Sequence, residues 1–310
     1  MKSKKCSTFA IPKGIPNARV AESVDALVSN TSSFTGVPVR PRPRVQKRRL
    51  QKQSPFCFSS LSYFYVILRP KHNTTNRMSQ KNKLFKFAQN ETFPHLFQPK
   101  LMYCSPDDFE LKGRWNSDFF HNNNPITVEL GCGKGEYSVA MANEIPTGNF
   151  IGVDIKGARM WRGASDSLEM GMKNIAFLRT RVEFTPKCFG KDEISEIWIT
   201  FPDPHLGAKS THKKRLTSSR FLSYYQNFLA DNGIVNLKTD DDMLYEYTKQ
   251  VIARNNLPLL IDASNLYESE HYTGFLTLKT HYEKMWNKEN RTIKYLRFRL
   301  PQNIILEEPE

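Results

Sequence analysis

Three glycines at alternate positions, Gly131, Gly133 and Gly135, follow a short apolar run. Glycine permits a tight backbone turn and a close approach of the chain to a ligand. Glu129 stands just before this turn, and Asp154 follows roughly 20 residues later, where an acid can accept hydrogen bonds from ribose hydroxyls. The pattern therefore predicts a site for a nucleoside-containing cofactor, with an ordinary loop as the alternative.

The spacing of the glycines favours one kind of cofactor. A dinucleotide site is typical of Gly-x-Gly-x-x-Gly, and here the third glycine comes one residue early. The carboxylate of Glu129 would repel a pyrophosphate, but it suits the cationic amino-acid end of S-adenosylmethionine. We therefore predict that S-adenosylmethionine is bound by Glu129, Gly131, Gly133, Gly135 and Asp154.

A second polar group, Pro202-Asp203-Pro204, follows the mostly apolar residues 197–201, which are predicted to form a buried strand. Doubly wound sheets place their chemistry at the carboxyl ends of strands, and the two prolines restrict the backbone around Asp203. Asp203 is therefore a candidate catalytic residue. The alternative is a proline-rich turn that merely ends a strand.

A basic stretch follows this turn, and its members are Lys209, Lys213, Lys214, Arg215 and Arg220. Lysine and arginine bind phosphates and position a nucleic acid rather than recognise its bases. We interpret the stretch as an exposed patch that holds RNA, with a solvated helix start as the alternative.

Alternating strands and helices must position these groups. The predicted strands are 126–130, 150–154, 175–178, 194–201, 233–238, 257–261 and 295–300, and the predicted helices are 136–144, 158–171, 217–229 and 241–255. This order predicts an α/β, Rossmann-like fold over residues 126–305, with a mostly parallel seven-stranded sheet and helices on both faces. Residues 78–125 would form an N-terminal arm of that domain.

The formal net charge of +14 belongs almost entirely to residues 1–77, which hold 15 basic residues against Glu22 and Asp25. This segment has three interpretations: an organelle transit peptide, a disordered basic arm, or sequence that is not native protein. The stretch AESVDALVSNTSSFTGVPVRPRPRV resembles a conceptual translation of a bacterial tRNA gene, which favours the third.

The remaining composition favours a globular protein of the cytoplasm. The five cysteines show neither a Cys-x-x-Cys pair nor metal-ligand spacing, so we predict no metal, no disulfide and a reducing compartment. The apolar run 56–68 is shorter than the roughly 18–20 residues needed to span a bilayer. No membrane association and no obligate protein partner are predicted.

Six motifs together carry a specific resemblance. The segments ELGCGKGEY, GVDIK, WITFPDP, KKRLTSSRF, LKTDDD and the late Thr-x-x-Glu of residues 280–283 resemble the bacterial tRNA (guanine-N7-)-methyltransferase family from about residue 78 to 300. The resemblance implies methyl transfer from S-adenosylmethionine to N7 of a guanosine in tRNA, in the variable loop. It implies that Glu129, Asp154 and Asp203 bind the cofactor, that Asp203 is also catalytic, and that the guanosine is bound by Lys209, Asp240, Thr280, His281, Tyr282 and Glu283.

Two departures from the family pattern affect individual residues. His205 and Gly207 stand where many members have a tryptophan and a lysine, so Lys209 is the best match for the substrate lysine. Arg181 stands where many members have an acid or amide for the adenine, and nearby Glu183 is the alternative.

Guanine N7 carries a lone pair, so its methylation requires alignment and a nearby negative charge but no general base. Two other functions remain open: methylation of an exocyclic amine, and RNA binding without catalysis.

Overall fold

The structure is a computed structural model that describes residues 83–99, 108–207, 209–280, 283 and 291–309, with backbone only at 209 and 210. The predictions for residues 1–77, and those for His281 and Tyr282, lie outside the described residues.

The strands are β1 (Leu96–Phe97), β2 (Ile126–Leu130), β3 (Asn149–Asp154), β4 (Ile175–Arg179), β5 (Ile194–Thr200), β6 (Leu229–Thr239), β7 (Leu259–Ala263) and β8 (Lys294–Leu300). In the described part of the chain they form one sheet in the order β1-β4-β3-β2-β5-β6-β8-β7. Among these described strands, every neighbouring pair is parallel except the two that involve β8, which pairs antiparallel with β6 and with β7. The predicted mostly parallel α/β sheet is confirmed.

The described sheet has eight strands rather than the predicted seven. The additional strand is β1, whose residues Leu96 and Phe97 pair in parallel with Phe177 and Leu178 of β4. Two residues are too few to show a period of two in the sequence, so this strand could not be predicted.

The α-helices are α1 (Lys83–Asn90), α2 (Glu136–Glu144), α3 (Gly157–Glu169), α4 (Ser219–Tyr225) and α5 (Asp242–Arg254). The predicted helix 217–229 is too long at both ends. Its start is set by Ser218, whose Oγ accepts a hydrogen bond from the amide of Phe221 at 3.5 Å. Beyond its end, Leu229 already pairs with Ile194 in the sheet.

The sheet is buried on both faces. Along β5, Ile197 and Ile199 belong to one apolar core, while Trp198 between them belongs to the other. Successive strand residues point to opposite faces, so this alternation places a core on each side. Because β2 pairs in parallel with both β3 and β5, the carboxyl ends of these three strands lie side by side.

Part of the predicted N-terminal arm packs against the described domain. Phe97 meets Trp115 and Phe119 with ring centroids 5.3 and 5.2 Å apart, and the Trp161 indole donates to Gln89 Oε1 at 2.7 Å. These contacts place α1 on α3 and cover the β1 edge of the sheet.

Candidate cofactor and active site

The glycine turn joins the end of β2 to the start of α2. Gly131, Gly133 and Gly135 have φ values of 77°, 56° and 70°, a region that glycine adopts without the strain a side chain would cause. The amides of Gly131 and Cys132 donate to the carbonyl of Val153 at 2.8 and 3.0 Å. The turn is therefore fastened to the end of β3.

The glycines of this turn differ in their surroundings. A Cβ on Gly135 would lie 2.6 Å from Cε1 of Phe177, so packing also excludes a side chain there. A Cβ on Gly131 or Gly133 would meet no protein atom closer than 3.9 Å. These two glycines thus leave open space that a ligand can occupy.

Asp154 is bound to the same turn. Its Oδ2 accepts from the amide of Gly133 at 2.8 Å, and its Oδ1 accepts from the amide of Lys156 at 2.7 Å. The carboxylate is thereby oriented at the carboxyl end of β3, where the sequence predicted an acceptor for ribose hydroxyls.

Glu129 is a buried carboxyl group within β2. It accepts from the amide of Ser138 at 2.9 Å and from the Ser138 hydroxyl, while the Thr200 hydroxyl donates to its other oxygen at 2.5 Å. Burial raises the pKa of Glu129 from its ordinary 4.5 to about 7, although these hydrogen bonds oppose the rise. A cation bound beside it would favour its charged form.

These groups surround one cleft of about 490 Å³. Its lining residues are Glu129, Gly131, Cys132, Gly133, Lys134, Glu136, Tyr137, Asp154, Arg159, Thr200, Phe201 and Thr280. Open glycine backbone, a carboxylate for an ammonium group and a second one for ribose hydroxyls fit the chemistry of S-adenosylmethionine. Arg159, which no sequence motif singled out, also lines the cleft and lies in the first turn of α3, shortly after Asp154.

Asp203 is exposed, with 76% of its side chain accessible to solvent, and does not line the described cleft. Its Oδ1 accepts from the amide of His205 at 3.1 Å. Phe201 and His205 on either side have φ values of 49° and 47°, which are strained for residues other than glycine. Because Phe201 lines the cleft, the turn that carries Asp203 begins at its wall.

Arg215 does not belong to an exposed basic patch, contrary to the sequence-based interpretation. It is only 2% exposed, and its Nε donates to the carbonyl of Pro204 at 2.9 Å. The guanidinium carbon lies 4.3 Å from the centroid of the Tyr247 ring. Arg215 therefore supports the Asp203 turn from within, while Lys213, Lys214 and Arg220 stay exposed.

The predicted guanosine-binding residues fall into three groups. Thr280 lines the cleft. Asp240 forms an ion pair with Arg291 at 2.8 Å, and Glu283 is fully buried against Lys238, so neither lines the described cleft. For Lys209 only the backbone is described, in a 3-10 turn, Lys209–Lys214.

Arg181 and Glu183 do not line the cleft either, so the residue that would hold the adenine stays a prediction. Among the described residues, no group of three His, Cys, Asp or Glu side chains is arranged to hold a metal ion. Within the same residues, no helix has both the length and the apolar character needed to span a membrane.

The Rossmann-like sheet and its glycine-turn cleft define a class I methyltransferase that uses S-adenosylmethionine. A sequence model of a family described as a putative methyltransferase matches residues 123–296. The tRNA (guanine-N(7)-)-methyltransferase of Bacteroides fragilis is 48% identical over 230 residues, which cover 74% of this chain and 90% of that protein. The enzyme of the same name from Porphyromonas gingivalis is 48% identical over 217 residues, covering 68% and 86%. The chain belongs to the tRNA (guanine-N(7)-)-methyltransferase family.

Among solved structures, one match is more distant in sequence. The 16S rRNA methyltransferase KamB is 12% identical with a TM-score of 0.47, covering 60% of this chain and 92% of that one.

Proposed function

We propose that this protein transfers the methyl group of S-adenosylmethionine to N7 of a guanosine in tRNA, in the variable loop. One observation carries the proposal beyond family membership: the wall of the cofactor cleft continues directly into the Asp203 turn. Thr200 and Phe201 line the cleft at the end of β5, and Asp203 follows two residues later. The Asp203 carboxylate thus follows the cleft-lining residues closely in sequence, and it is still exposed to a large substrate.

In this proposal, Glu129 binds the cationic amino-acid end of the cofactor and Asp154 accepts hydrogen bonds from its ribose. Bound S-adenosylmethionine supplies a methyl group on a positively charged sulfur. The open backbone at Gly131 and Gly133 leaves room for the cofactor beside the turn.

Asp203 stabilises the guanine as it becomes positively charged. N7 attacks with its own lone pair, so no side chain has to remove a proton first. A fixed negative charge near the purine lowers the energy of the transition state, and the Asp203 carboxylate can also accept hydrogen bonds from guanine N1 and N2. Burial raises the pKa of the Cys132 thiol well above its ordinary value, which favours the protonated thiol over a nucleophilic thiolate.

The exposed Lys213, Lys214 and Arg220 hold tRNA phosphates beside this turn. In this proposal the protein is a tRNA-modifying enzyme of the cytoplasm that needs S-adenosylmethionine and no metal.

The test is to incubate the protein with radiolabelled S-adenosylmethionine and unmodified tRNA, digest the RNA to nucleosides and separate them. We expect label in 7-methylguanosine, and sequencing of the labelled tRNA would locate it in the variable loop. Label in any other nucleoside would contradict the proposal, and label in one such as N2-methylguanosine would favour an exocyclic-amine methyltransferase. RNA binding without transfer would favour a silent binding protein.

A further inference from the structure

A fully buried ion pair joins the end of β6 to the segment that contains Thr280. Lys238 Nζ lies 3.0 Å from each carboxylate oxygen of Glu283, and neither side chain is exposed. Burial lowers the pKa of Lys238, and the Glu283 charge opposes that change. Such a pair is favourable only where the geometry is good and further hydrogen bonds complete it.

Both charged groups have such further partners. Lys238 Nζ also donates to the carbonyls of Leu276 and Leu278, each at 3.3 Å. The Tyr267 hydroxyl donates to Glu283 Oε1 at 2.6 Å. One ammonium group therefore binds residues 276, 278 and 283 together.

The same lysine lies next to the cofactor cleft. Its Nζ is 5.3 Å from the ring centroid of Tyr137 and 5.9 Å from that of Phe201, and both residues line the cleft. The carbonyl of Lys238 accepts from the amide of Phe201 at 2.8 Å. On the other side of the pair, the amide of Glu283 donates to Thr280 Oγ1 at 3.2 Å. The pair thus connects two parts of the cleft wall.

We propose that Lys238 and Glu283 are positioning residues, whose ion pair holds the segment around Thr280 in place so that Thr280 faces the target guanosine. The proposal rests on the proposed function and deepens it. Both oxygens of the Glu283 carboxylate are occupied by Lys238 and Tyr267, and the side chain has no exposed surface. Glu283 therefore acts through the segment it anchors and does not contact the guanine.

The test compares Lys238→Met, Glu283→Gln and the double variant, with tRNA methylation and S-adenosylmethionine affinity measured separately. Each single change leaves a buried group without its partner, so we expect kcat/KM for tRNA to fall by about 100-fold or more. Cofactor affinity should fall by much less, about tenfold at most, because most of the cleft wall lies outside the contacts of the pair. The double variant removes both charges, and we expect it to recover to within about tenfold of the wild type.

Recovery of kcat/KM in the double variant is not expected if Glu283 contacts guanine directly. If Glu283 touched the base, the double variant would be as inactive as Glu283→Gln, and that result would overturn the proposal. A matching loss of cofactor affinity in the single variants would also overturn it.

Tyr267→Phe provides a milder variant in case the single changes prevent folding. It removes one hydrogen bond to Glu283 and keeps the ring, so kcat/KM for tRNA should fall by roughly threefold to tenfold with cofactor affinity unchanged. Unchanged kcat/KM in Tyr267→Phe would count against an anchoring network. The wild-type protein is assayed in parallel. Absence of tRNA methylation by the wild type would contradict the proposed function, whereas the positioning proposal is judged by the ratio of kcat/KM in each variant to kcat/KM in the wild type.

Discussion

The Glu129 carboxylate accepts a hydrogen bond from the backbone N–H of Ser138 at 2.9 Å. A side chain from β2 thus provides a hydrogen-bond partner for one of the first amides of α2, which lack partners within the helix. Gly135, which precedes the helix, has no side chain to do this. The contact places a buried negative charge where the helix dipole favours one, beside the cofactor cleft. One carboxylate thus combines a structural role with a proposed binding role.

Glu129→Gln should stabilise the ligand-free protein above pH 7 and weaken cofactor binding. Because burial raises the pKa of Glu129 to about 7, its ionisation in the folded state costs stability as pH rises from 4.5 through 7. The shift corresponds to roughly 3 kcal/mol, and an amide avoids that cost while it keeps the bond from Ser138. Chemical denaturation at pH 5 and pH 8 measures the difference.

Glu144→Gln is the matched control on the same helix, since Glu144 is exposed. It should change neither the stability nor its pH dependence. A Glu129→Gln variant that is less stable than the wild type at pH 8 would contradict the interpretation of Glu129 as a costly buried charge.

Cofactor affinity should decrease as pH falls below 7. A cation binds the charged form of Glu129, and protonation of that carboxyl group removes the attraction. Between pH 7 and pH 5.5 we expect the Kd of S-adenosylmethionine to rise by up to about tenfold per pH unit. Calorimetric titration of wild type and Glu129→Gln measures this, and the variant should show a flat profile. Equal slopes of log Kd against pH in both proteins would mean that a group other than Glu129 controls the pH dependence of binding.

The sequence could place the residues of the proposed cofactor site relative to one another because that half of the site is local. The strand, the glycine turn and the helix follow one another directly, so Glu129 and Gly131 could be placed from their neighbours alone. Asp154 could be placed at the end of the next strand from its distance after the first glycine.

The other half depends on contacts between distant parts of the chain. Nothing near Arg215 indicates that its side chain turns inward to the carbonyl of Pro204, and a basic stretch normally indicates an exposed face. Lys238 and Glu283 are 45 positions apart, and only the folded sheet brings them together. Such pairs follow from packing, which composition and periodicity do not describe.

Gly135→Ala should destabilise the protein by more than Gly171→Ala. Both glycines have positive φ, 70° and 66°, so an alanine at either position incurs a similar backbone strain. Only at Gly135 would the new Cβ also lie 2.6 Å from Phe177, whereas at Gly171 nothing lies within 4 Å. We expect an excess of about 1–3 kcal/mol at Gly135, measured by urea unfolding. Equal losses would show that Phe177 moves aside easily.

Asp203→Asn should slow methyl transfer and leave cofactor affinity nearly unchanged. The amide keeps the shape of the side chain and removes the charge that, in the proposed function, stabilises the purine, so we expect a loss in kcat of about 100-fold or more. Since Asp203 does not line the described cleft, the Kd of S-adenosylmethionine should stay within about threefold. Single-turnover kinetics and equilibrium binding separate the two effects.

Glu169→Gln serves as the control for Asp203→Asn, because it removes an exposed charge at the carboxyl end of α3, opposite the catalytic edge of the sheet. It should leave kcat unchanged. Near-normal turnover in Asp203→Asn would assign that residue a structural role, and a large loss of cofactor affinity would assign it to cofactor binding instead.

Lys214→Ala and Arg215→Ala should affect the protein in different ways although the two residues are adjacent. Lys214 is exposed, so its loss should weaken tRNA binding, lower the slope of log affinity against log salt by about one and leave stability unchanged. Arg215→Ala removes the bond to Pro204 and the contact with Tyr247, so it should cost about 1–3 kcal/mol of folding stability and lower kcat by displacing the Asp203 turn. Salt-dependent tRNA binding and thermal unfolding, measured on both variants, distinguish the two. An Arg215→Ala variant that is as stable as the wild type and binds tRNA with a reduced salt slope would place Arg215 on the RNA-binding surface after all.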